Sequence, residues 1–389
     1  LKAELAARNI TLTSANSINI GRLAPQVVYY FDAYRQLAEA GVIRQGERID
    51  FCVPTGNYGD VLAGWFAKTL GLPVRRLIVA SNANHVLSDF LETGVYDRRR
   101  DLVRTSSPSM DILVSSNLER ALYYLDDMNP VRTAARMAAL KADGIYRIEP
   151  ELLDKFRAVY GCGWLDDAET SDAVREAWET TGRLIDPHTA VAWKIAQKQA
   201  SPEVPMVVLS TASPFKFCRD VFNALYGPLK LKSTTPEAAA FEYMDALADS
   251  TGVEPPQCLS ALRTQSVRFN AVYDVDQAPE RVLAASSDAV QIIGSGRAAW
   301  SPFAAASSLF FSSRAVSCRS PYVLRPPLRI SARVLTSSAW HFRSTPFSLL
   351  SVLKRSRFPA VRKLFKMKTI WCFKAFEKSS VKPGRRPFP

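Results

Sequence analysis

The six cysteines of this 389-residue chain are scattered, and none lies close enough to another to form a Cys-x-x-Cys pair. Without such a pair or another metal-ligand spacing, the sequence predicts no metal site, and the scatter is typical of reduced cytosolic thiols. The chain also has no apolar run near the roughly 20 residues that a membrane span needs, and no basic-then-apolar leader. We therefore predict a cytoplasmic protein that does not bind membranes.

Acidic residues are almost missing from the last quarter of the chain. Residues 286–389 contain 19 Lys and Arg but only two acids, Asp288 and Glu377, which gives a formal charge of +17. Residues 1–285 keep 31 bases and 35 acids and sum to −4, although the whole chain has a net charge of +13. A nucleic-acid partner would therefore depend on the last quarter alone, and we do not expect one.

The basic last quarter also lacks a regular pattern. It is rich in Ser, Arg and Pro and shows no sustained helical or strand periodicity, so we predict an irregular tail. Its Phe, Trp, Leu and Val content is high for a disordered arm. Three interpretations stay open: translation of a non-native reading frame, a disordered basic arm, and a nucleic-acid module for which no recognition motif is present.

The chain ahead of this tail, residues 1–285, alternates between helical and strand patterns. Buried strands are predicted at 49–53, 76–80 and 206–210, and helices at 22–40, 59–70, 84–92, 117–126, 189–199 and 216–226. From 129 to 181 helical patterns dominate, and only 144–148 suggests a strand. This order predicts an α/β fold with an open, mostly parallel sheet covered by helices on both faces, with ligands at the carboxyl ends of its strands.

The sequence Val-Pro-Thr-Gly-Asn-Tyr-Gly-Asp at 53–60 ends an apolar strand pattern and leads into a helical pattern. We expect Gly56 and Gly59 to supply backbone with positive φ and close approach to a ligand. The helix that follows points unpaired N–H groups and its positive dipole end into the turn, an arrangement suited to a phosphate. The alternative is an ordinary strand-to-helix turn in which Asp60 caps the helix.

Five sequence blocks, in a fixed order, resemble threonine synthases. They lie at 14–23 (Ser-Ala-Asn-Ser-Ile-Asn-Ile-Gly-Arg-Leu), 53–60, 107–112 (Ser-Pro-Ser-Met-Asp-Ile), 186–192 (Asp-Pro-His-Thr-Ala-Val-Ala) and 210–217 (Ser-Thr-Ala-Ser-Pro-Phe-Lys-Phe). The resemblance covers most of residues 10–270. It implies an enzyme of the tryptophan synthase β-like, fold type II group, which uses pyridoxal phosphate to convert O-phospho-L-homoserine and water into L-threonine and phosphate.

The resemblance implies roles for two cofactor-contacting segments. The backbone N–H groups of the turn would hold the cofactor phosphate; these belong to Gly56, Asn57, Tyr58, Gly59 and Asp60. Thr211 matches the family position whose hydroxyl meets the pyridine nitrogen, and a neutral partner of this kind leaves that nitrogen largely unprotonated. A helix cap after a strand is the alternative for Thr211.

The block at 14–23 places short polar side chains and a guanidinium just before a helix. Asn16, Ser17, Asn19 and Arg22 are predicted to bind the substrate phosphate, and Arg22 would supply bidentate charge-assisted bonds. Their alternative role is to cap the helix start. His188 is predicted to cap a helix or line the site, and Lys216 to contact substrate or to lie on a helix surface; neither is assigned to catalysis.

One family feature is absent from the sequence. Family members hold the cofactor through the lysine of a Phe-Lys-Asp motif upstream of the first block, and this sequence contains no Phe-Lys-Asp. We therefore assign no catalytic residue. Because the chain also begins with Leu1, we expect an N-terminally truncated piece of a parent enzyme that is inactive alone.

Four regions are predicted: a cofactor-binding α/β core at 1–128, a helical insertion at 129–187, completion of the core at 188–285, and the basic tail at 286–389. Two other functions stay open. One is a different fold type II lyase, such as a threonine dehydratase or cysteine synthase, which would share the turn but not Ser-Ala-Asn-Ser-Ile-Asn. The other is a non-enzymatic protein that binds nucleic acid through the tail.

Overall fold

The computed structural model describes residues 1–11, 16–267 and 271–285 and the backbone of residues 370–373. Two residues of the first sequence block, 14 and 15, lie outside the described residues, as does the predicted tail except for 370–373. The described residues form two units, one with residues 16–254 and 370–373, the other with 1–11, 255–267 and 271–285.

The larger unit is built on a five-stranded sheet in the order β5-β2-β1-β6-β7. The first four strands are parallel, and β7 pairs antiparallel with β6. The strands are β1 (Ile49–Pro54), β2 (Val74–Ser81), β5 (Tyr160–Trp164), β6 (Met206–Leu209) and β7 (Ile370–Phe373); β3 (Val95–Asp97) and β4 (Ile145–Arg147) form a separate antiparallel pair. The predicted mostly parallel α/β sheet is confirmed.

The helices of this unit are α2 (Ile20–Leu23), α3 (Val27–Glu39), α4 (Gly59–Thr69), α5 (Val86–Thr93), α6 (Leu118–Leu125), α7 (Pro130–Asp143), α8 (Pro150–Arg157), α9 (Asp167–Thr181), α10 (Pro187–Gln199), α11 (Cys218–Tyr226) and α12 (Pro236–Thr251). The smaller unit contains α1 (Lys2–Ala7) and α13 (Gln257–Ser260), and within it Arg8 donates to the carbonyl of Leu283 at 3.0 Å. Among the described residues, no helix combines the length and apolar character that a membrane crossing requires.

Strand β1 lies at the centre of the sheet and is buried along its whole length. On one face, the ring of Phe51 contacts the ring of Tyr30 from α3, with ring centroids 4.7 Å apart. On the other face, the Cys52 thiol donates to the carbonyl of Ala192 in α10 at 3.1 Å. Helices on both faces explain why this strand is continuously apolar instead of alternating between apolar and polar residues.

The region 129–187, predicted as a helical insertion, contains helices α7, α8 and α9 but also gives strand β5 to the main sheet. The sequence of β5 is Tyr-Gly-Cys-Gly-Trp, and glycines in a short segment usually indicate a turn. Here they leave room for side chains that pack closely on the strand. A Cβ on Gly161 would lie 2.7 Å from Ile78 Cδ1, and a Cβ on Gly163 would lie 3.0 Å from Ile195 Cγ2. The boundaries of the four predicted regions stay predictions.

Candidate functional site

The glycine turn, residues 56–60, connects β1 to α4 at the carboxyl edge of the sheet. In the part of the chain that the structure describes, the backbone N–H groups of residues 56–59 donate no hydrogen bond to another residue. Helix α4 begins at Gly59, so its positive dipole end also points into this turn. The turn therefore presents a set of backbone donors to an anion.

The left-handed residue of the turn is Tyr58, with φ of 60°, whereas Gly56 and Gly59 are not among the residues with positive φ. The expectation that the two glycines supply positive φ is therefore wrong. The Tyr58 ring is buried against Tyr160, with centroids 5.3 Å apart, and this packing stabilises a conformation that is unfavourable for a non-glycine residue. Burial also raises the pKa of the Tyr58 phenol well above its usual range, so the hydroxyl stays neutral.

Gly56 is required by close approach of another backbone segment. A Cβ at this position would lie 2.7 Å from the carbonyl oxygen of Ser109 and 3.2 Å from Met110 Cα. Both atoms belong to the segment 107–112, the third block of the resemblance. The second and third blocks are therefore in direct contact.

Helix capping by Asp60 is not what the structure shows. No side chain caps α4, and Asp60 lies inside the first turn of the helix. Its backbone carbonyl accepts a hydrogen bond of 2.6 Å from the hydroxyl of Tyr30, a buried phenol whose pKa is raised well above its usual range by burial.

The carbonyl side of the glycine turn is held by residues that follow the third block. Ser115 Oγ donates to the Gly56 carbonyl at 2.8 Å, and Asn117 donates to the Asn57 carbonyl from its backbone N at 3.1 Å and from Nδ2 at 2.9 Å. In a trans peptide the C=O of one residue and the N–H of the next point in opposite directions. These bonds therefore turn the N–H groups of Asn57 and Tyr58 away from Ser115 and Asn117.

The segment 105–111 is fixed by a buried polar cluster at the end of β2. Asn82 Nδ2 lies 2.8 Å from Asp111 Oδ1 and 2.8 Å from Thr105 Oγ1. The other Asp111 oxygen accepts from the Thr105 backbone N–H at 3.0 Å, and Asn84 Nδ2 also lies 3.1 Å from Asp111 Oδ1. The several donors around the half-buried Asp111 carboxylate hold this segment in place against Gly56.

His188, in the first turn of α10, also holds this segment. Its Nε2 accepts a hydrogen bond of 3.1 Å from the Ser109 backbone N–H, and its Nδ1 lies 2.7 Å from Asp186 Oδ2. Asp186 caps α10 by accepting from the N–H groups of His188 and Thr189. His188 is buried, and it acts as a link between the start of α10 and the segment packed on Gly56.

Thr211 follows β6, the neighbour of β1 in the sheet. Strand β6 pairs in parallel with β1, so Thr211, two residues past the end of β6, and Thr55, one residue past the end of β1, both lie at the carboxyl edge of the sheet. Thr211 is exposed, and the cap of the following 3-10 helix (Pro214–Phe217) is Ser213, so the predicted alternative of a helix cap at Thr211 is not supported.

Lys216 lies in that 3-10 helix, with Nζ 5.4 Å from the Phe217 ring centre.

The polar segment, residues 16–22, lies against the glycine turn. Ser17 Oγ is 3.3 Å from Ser116 Oγ, which in turn donates to Asn57 Oδ1 at 3.2 Å. Asn19 caps α2 by accepting from the Gly21 N–H at 2.8 Å, and Asn16 accepts from the Ile18 N–H at 3.2 Å, so both side chains make the local bonds that the alternative role predicts. The exposed Arg22 lies in the last turn of α2.

Sequence reasoning missed Ser115, Ser116, Asn117 and Arg120 as part of this site. They lie in the run Ser-Ser-Asn-Leu-Glu-Arg at 115–120, which two residues separate from the third block. Three consecutive small polar residues before a helix are typical of a cap, and here no side chain of this run caps α6. That mismatch is visible only in the structure.

Comparisons with known proteins agree with this geometry. The family model "Threonine synthase, C-terminal" matches residues 189–290. Threonine synthase-like 1 from Homo sapiens is 38% identical over 273 residues, which are 70% of this chain and 36% of that protein. Threonine synthase from Pseudomonas aeruginosa is 40% identical over 218 residues, which are 56% of this chain and 45% of that enzyme.

A crystal structure described as PLP-bound threonine synthase from Brucella melitensis superposes with a TM-score of 0.54 at 36% identity. The match covers 62% of this chain and 50% of that one. The chain thus spans less than half the length of the two curated relatives named here. These findings confirm the resemblance predicted from the five sequence blocks: the chain is similar to threonine synthases and threonine synthase-like proteins in sequence and in its α/β fold.

Proposed function

We propose that this chain carries the cofactor-phosphate and substrate-phosphate sites of a threonine synthase that acts on O-phospho-L-homoserine. The observation that carries the proposal is the row of backbone N–H groups at 56–59, which donate to no described residue and lie at the start of α4. Such donors suit a phosphate. Ser115 and Asn117 fix the orientation of two of these peptide groups, so their N–H groups need no rearrangement to bind an anion.

The position of the turn in the sheet supports the same assignment. From β1 the chain continues to β2 on one side, whereas β6 lies on the other side of β1. In open α/β sheets, ligands bind at the carboxyl ends of the strands where the strand order reverses. The glycine turn and Thr211 follow the two strands at this point, so one pyridoxal phosphate would contact both, with its phosphate at 56–60 and its pyridine nitrogen at Thr211.

When bound, pyridoxal phosphate supplies an electron sink for proton removal from the substrate. The chain's own residues would bind and orient. The polar segment, with Asn16, Ser17, Asn19 and Arg22, would hold the substrate phosphate beside the cofactor, where Ser17 already contacts Ser116. We assign proton transfer to none of these residues, because the lysine motif of the family is not in this sequence.

Binding of two ligands that differ only in the phosphate tests the cofactor site. Pyridoxine 5'-phosphate has no aldehyde and cannot react with surface lysines, and pyridoxine lacks the phosphate. We expect the full chain to bind the phosphate ester at least tenfold more tightly than pyridoxine, measured by isothermal titration calorimetry. Equal affinities would contradict a phosphate site at the glycine turn.

The reaction is tested separately. We expect this chain, loaded with pyridoxal phosphate, to release no phosphate from O-phosphohomoserine. A longer chain that also contains a Phe-Lys-Asp segment should release phosphate and form threonine in equal amounts. A product such as 2-oxobutanoate in place of threonine would identify a different lyase of the same fold.

A further inference from the structure

Asn117 contacts both candidate phosphate sites at once. Its Nδ2 donates to the Asn57 carbonyl of the glycine turn at 2.9 Å and to the Ser17 carbonyl of the polar segment at 3.0 Å. Its backbone N–H donates a further hydrogen bond to the Asn57 carbonyl, at 3.1 Å. The side chain is fully buried.

The chemistry at this position requires a primary amide. Both hydrogens of Nδ2 point at carbonyl oxygens, and Oδ1 accepts from Arg120 at 2.5 Å, so the orientation of the amide is set by its partners. The second terminal nitrogen of Arg120 donates to the Ile18 carbonyl at 2.7 Å. A carboxylate here would place an oxygen against two carbonyl oxygens and lose both bonds.

Each of these bonds constrains a peptide group of a binding segment. Fixing the Asn57 carbonyl fixes the direction of the Tyr58 N–H, since the two belong to one planar peptide. Fixing the Ser17 and Ile18 carbonyls sets the path of the polar segment just before α2. A movement of the glycine turn is therefore transmitted to the polar segment through one buried side chain.

We propose that Asn117 is a positioning residue that couples the two sites, so that a phosphate ester in the glycine turn orders the polar segment for substrate. The inference rests on the proposed function of the turn. Coupling between two sites is reciprocal, and typical values change affinity by about 5-fold to 150-fold. Asn117 contacts no ligand in this scheme and acts only through Asn57, Ser17 and Arg120.

Hydrogen exchange on the full chain, followed by mass spectrometry, tests the coupling with saturating pyridoxine 5'-phosphate as the probe. In the unchanged chain we expect the ligand to slow exchange at least fivefold in peptides covering 56–60 and also in those covering 17–23. In Asn117→Asp we expect protection to remain at 56–60 and to fall below twofold at 17–23. The matched control is Asn129→Asp, because the Asn129 side chain caps α7 and an Asp caps equally well.

The outcomes separate the two proposals. No protection at 56–60 in the unchanged chain would overturn the proposed function of the turn. Protection at 56–60 alone in the unchanged chain, or at both segments in Asn117→Asp, would overturn the coupling and leave the function standing. If Asn117→Asp unfolds, Asn117→Ala decides: it removes both Nδ2 bonds without placing a charge between the two carbonyls, and full protection at 17–23 in this variant would overturn the coupling.

Discussion

Gly56 is the residue of the site with the least freedom to change. A Cβ there would meet the Ser109 carbonyl at 2.7 Å, and a backbone atom cannot move aside as a flexible side chain can. We expect Gly56→Ala to lower the free energy of unfolding by about 1–3 kcal/mol, as overpacking of a well-packed site does. Urea denaturation followed by circular dichroism measures this change.

Gly59→Ala is the control in the same turn. Its Cβ would lie 3.4 Å from Asn117 Nδ2, an ordinary contact, and Gly59 does not have positive φ. We expect a change of at most about 0.5 kcal/mol. If the two alanine variants were equally stable, the packing of the 107–112 segment on Gly56 would be wrong.

The hydrogen bonds of His188 predict its tautomer. Nε2 can accept from the Ser109 N–H only if it carries no proton, so a neutral ring must carry its proton on Nδ1, which faces Asp186 Oδ2. Long-range proton–nitrogen NMR correlation on the full chain should show a protonated Nδ1 and a bare Nε2. A proton on Nε2 would place two donors against each other and contradict the contact with Ser109.

Helices α6, α7 and α8 are joined by an ion network whose centre is buried. Asp126, at the end of α6, accepts from Arg132 at 2.6 Å and from the buried Arg136 at 2.8 Å, and Arg136 also contacts Glu149 at the start of α8. The hydrogen bond from Arg132, followed by that from Arg136, lowers the pKa of the Asp126 carboxyl below its ordinary value. The folded state therefore stabilises the ionised form of Asp126.

We expect Asp126→Asn to lower the free energy of unfolding by about 3 kcal/mol at pH 7, because it leaves a buried guanidinium without one of its two charge partners. A carboxyl with a lowered folded pKa stabilises the protein above its unfolded pKa, about 3.9, and loses this contribution as pH falls through the folded value. The difference between the two chains should therefore be constant near neutral pH and shrink below about pH 4.

Asp127→Asn is the matched control for this network. Its carboxylate is exposed and pairs at the surface with Lys155 at 2.9 Å. Exposed pairs contribute about 1 kcal/mol or less, so this variant should change urea unfolding little at any pH. A loss at Asp127 as large as that at Asp126 would show that burial of Arg136 is not the cause.

Strands and helices with an uninterrupted apolar pattern were predictable from the sequence, and those shaped by close packing were not. The predicted bounds of β1 and α4 are confirmed nearly to the residue. The strand was easy to recognise because Cys52 and its neighbours are apolar and buried on both faces. Strand β5 was missed because Gly161 and Gly163 are there to accommodate Ile78 and Ile195, which come from other elements. Local sequence does not contain that information.

At the scale of the whole molecule, the candidate site is assembled from segments that lie far apart in the chain. The sequence indicated the glycine turn and Thr211 separately, since each follows an apolar strand. Their adjacency depends on the pairing of β1 with β6, and Asn117 enters only through contacts 60 and 100 residues away in sequence. Local patterns predict elements, whereas strand order and loop contacts place the site at the reversal of the sheet.

The charge of the whole molecule is divided unevenly along the chain, and this division predicts its behaviour on a polyanion. Residues 286–389 carry +17, whereas residues 1–285 carry −4. We expect the full chain to bind immobilised heparin and to elute only with salt, and a chain ending at residue 285 to pass through at low ionic strength. The reason is that retention on a polyanion follows the number of cations that displace its counterions.

A full-length variant in which Lys354, Arg355, Arg357, Arg362 and Lys363 are changed to Gln separates charge from chain length. It keeps every residue position and removes five of the 19 bases of the tail, so it should elute at lower salt than the unchanged chain, with a shallower dependence of log affinity on log salt. The contrary result is that the shortened chain and the Gln variant both elute at the same salt concentration as the unchanged chain. Binding would then come from a local cluster of bases within residues 1–285, although positive and negative charges nearly cancel over that range.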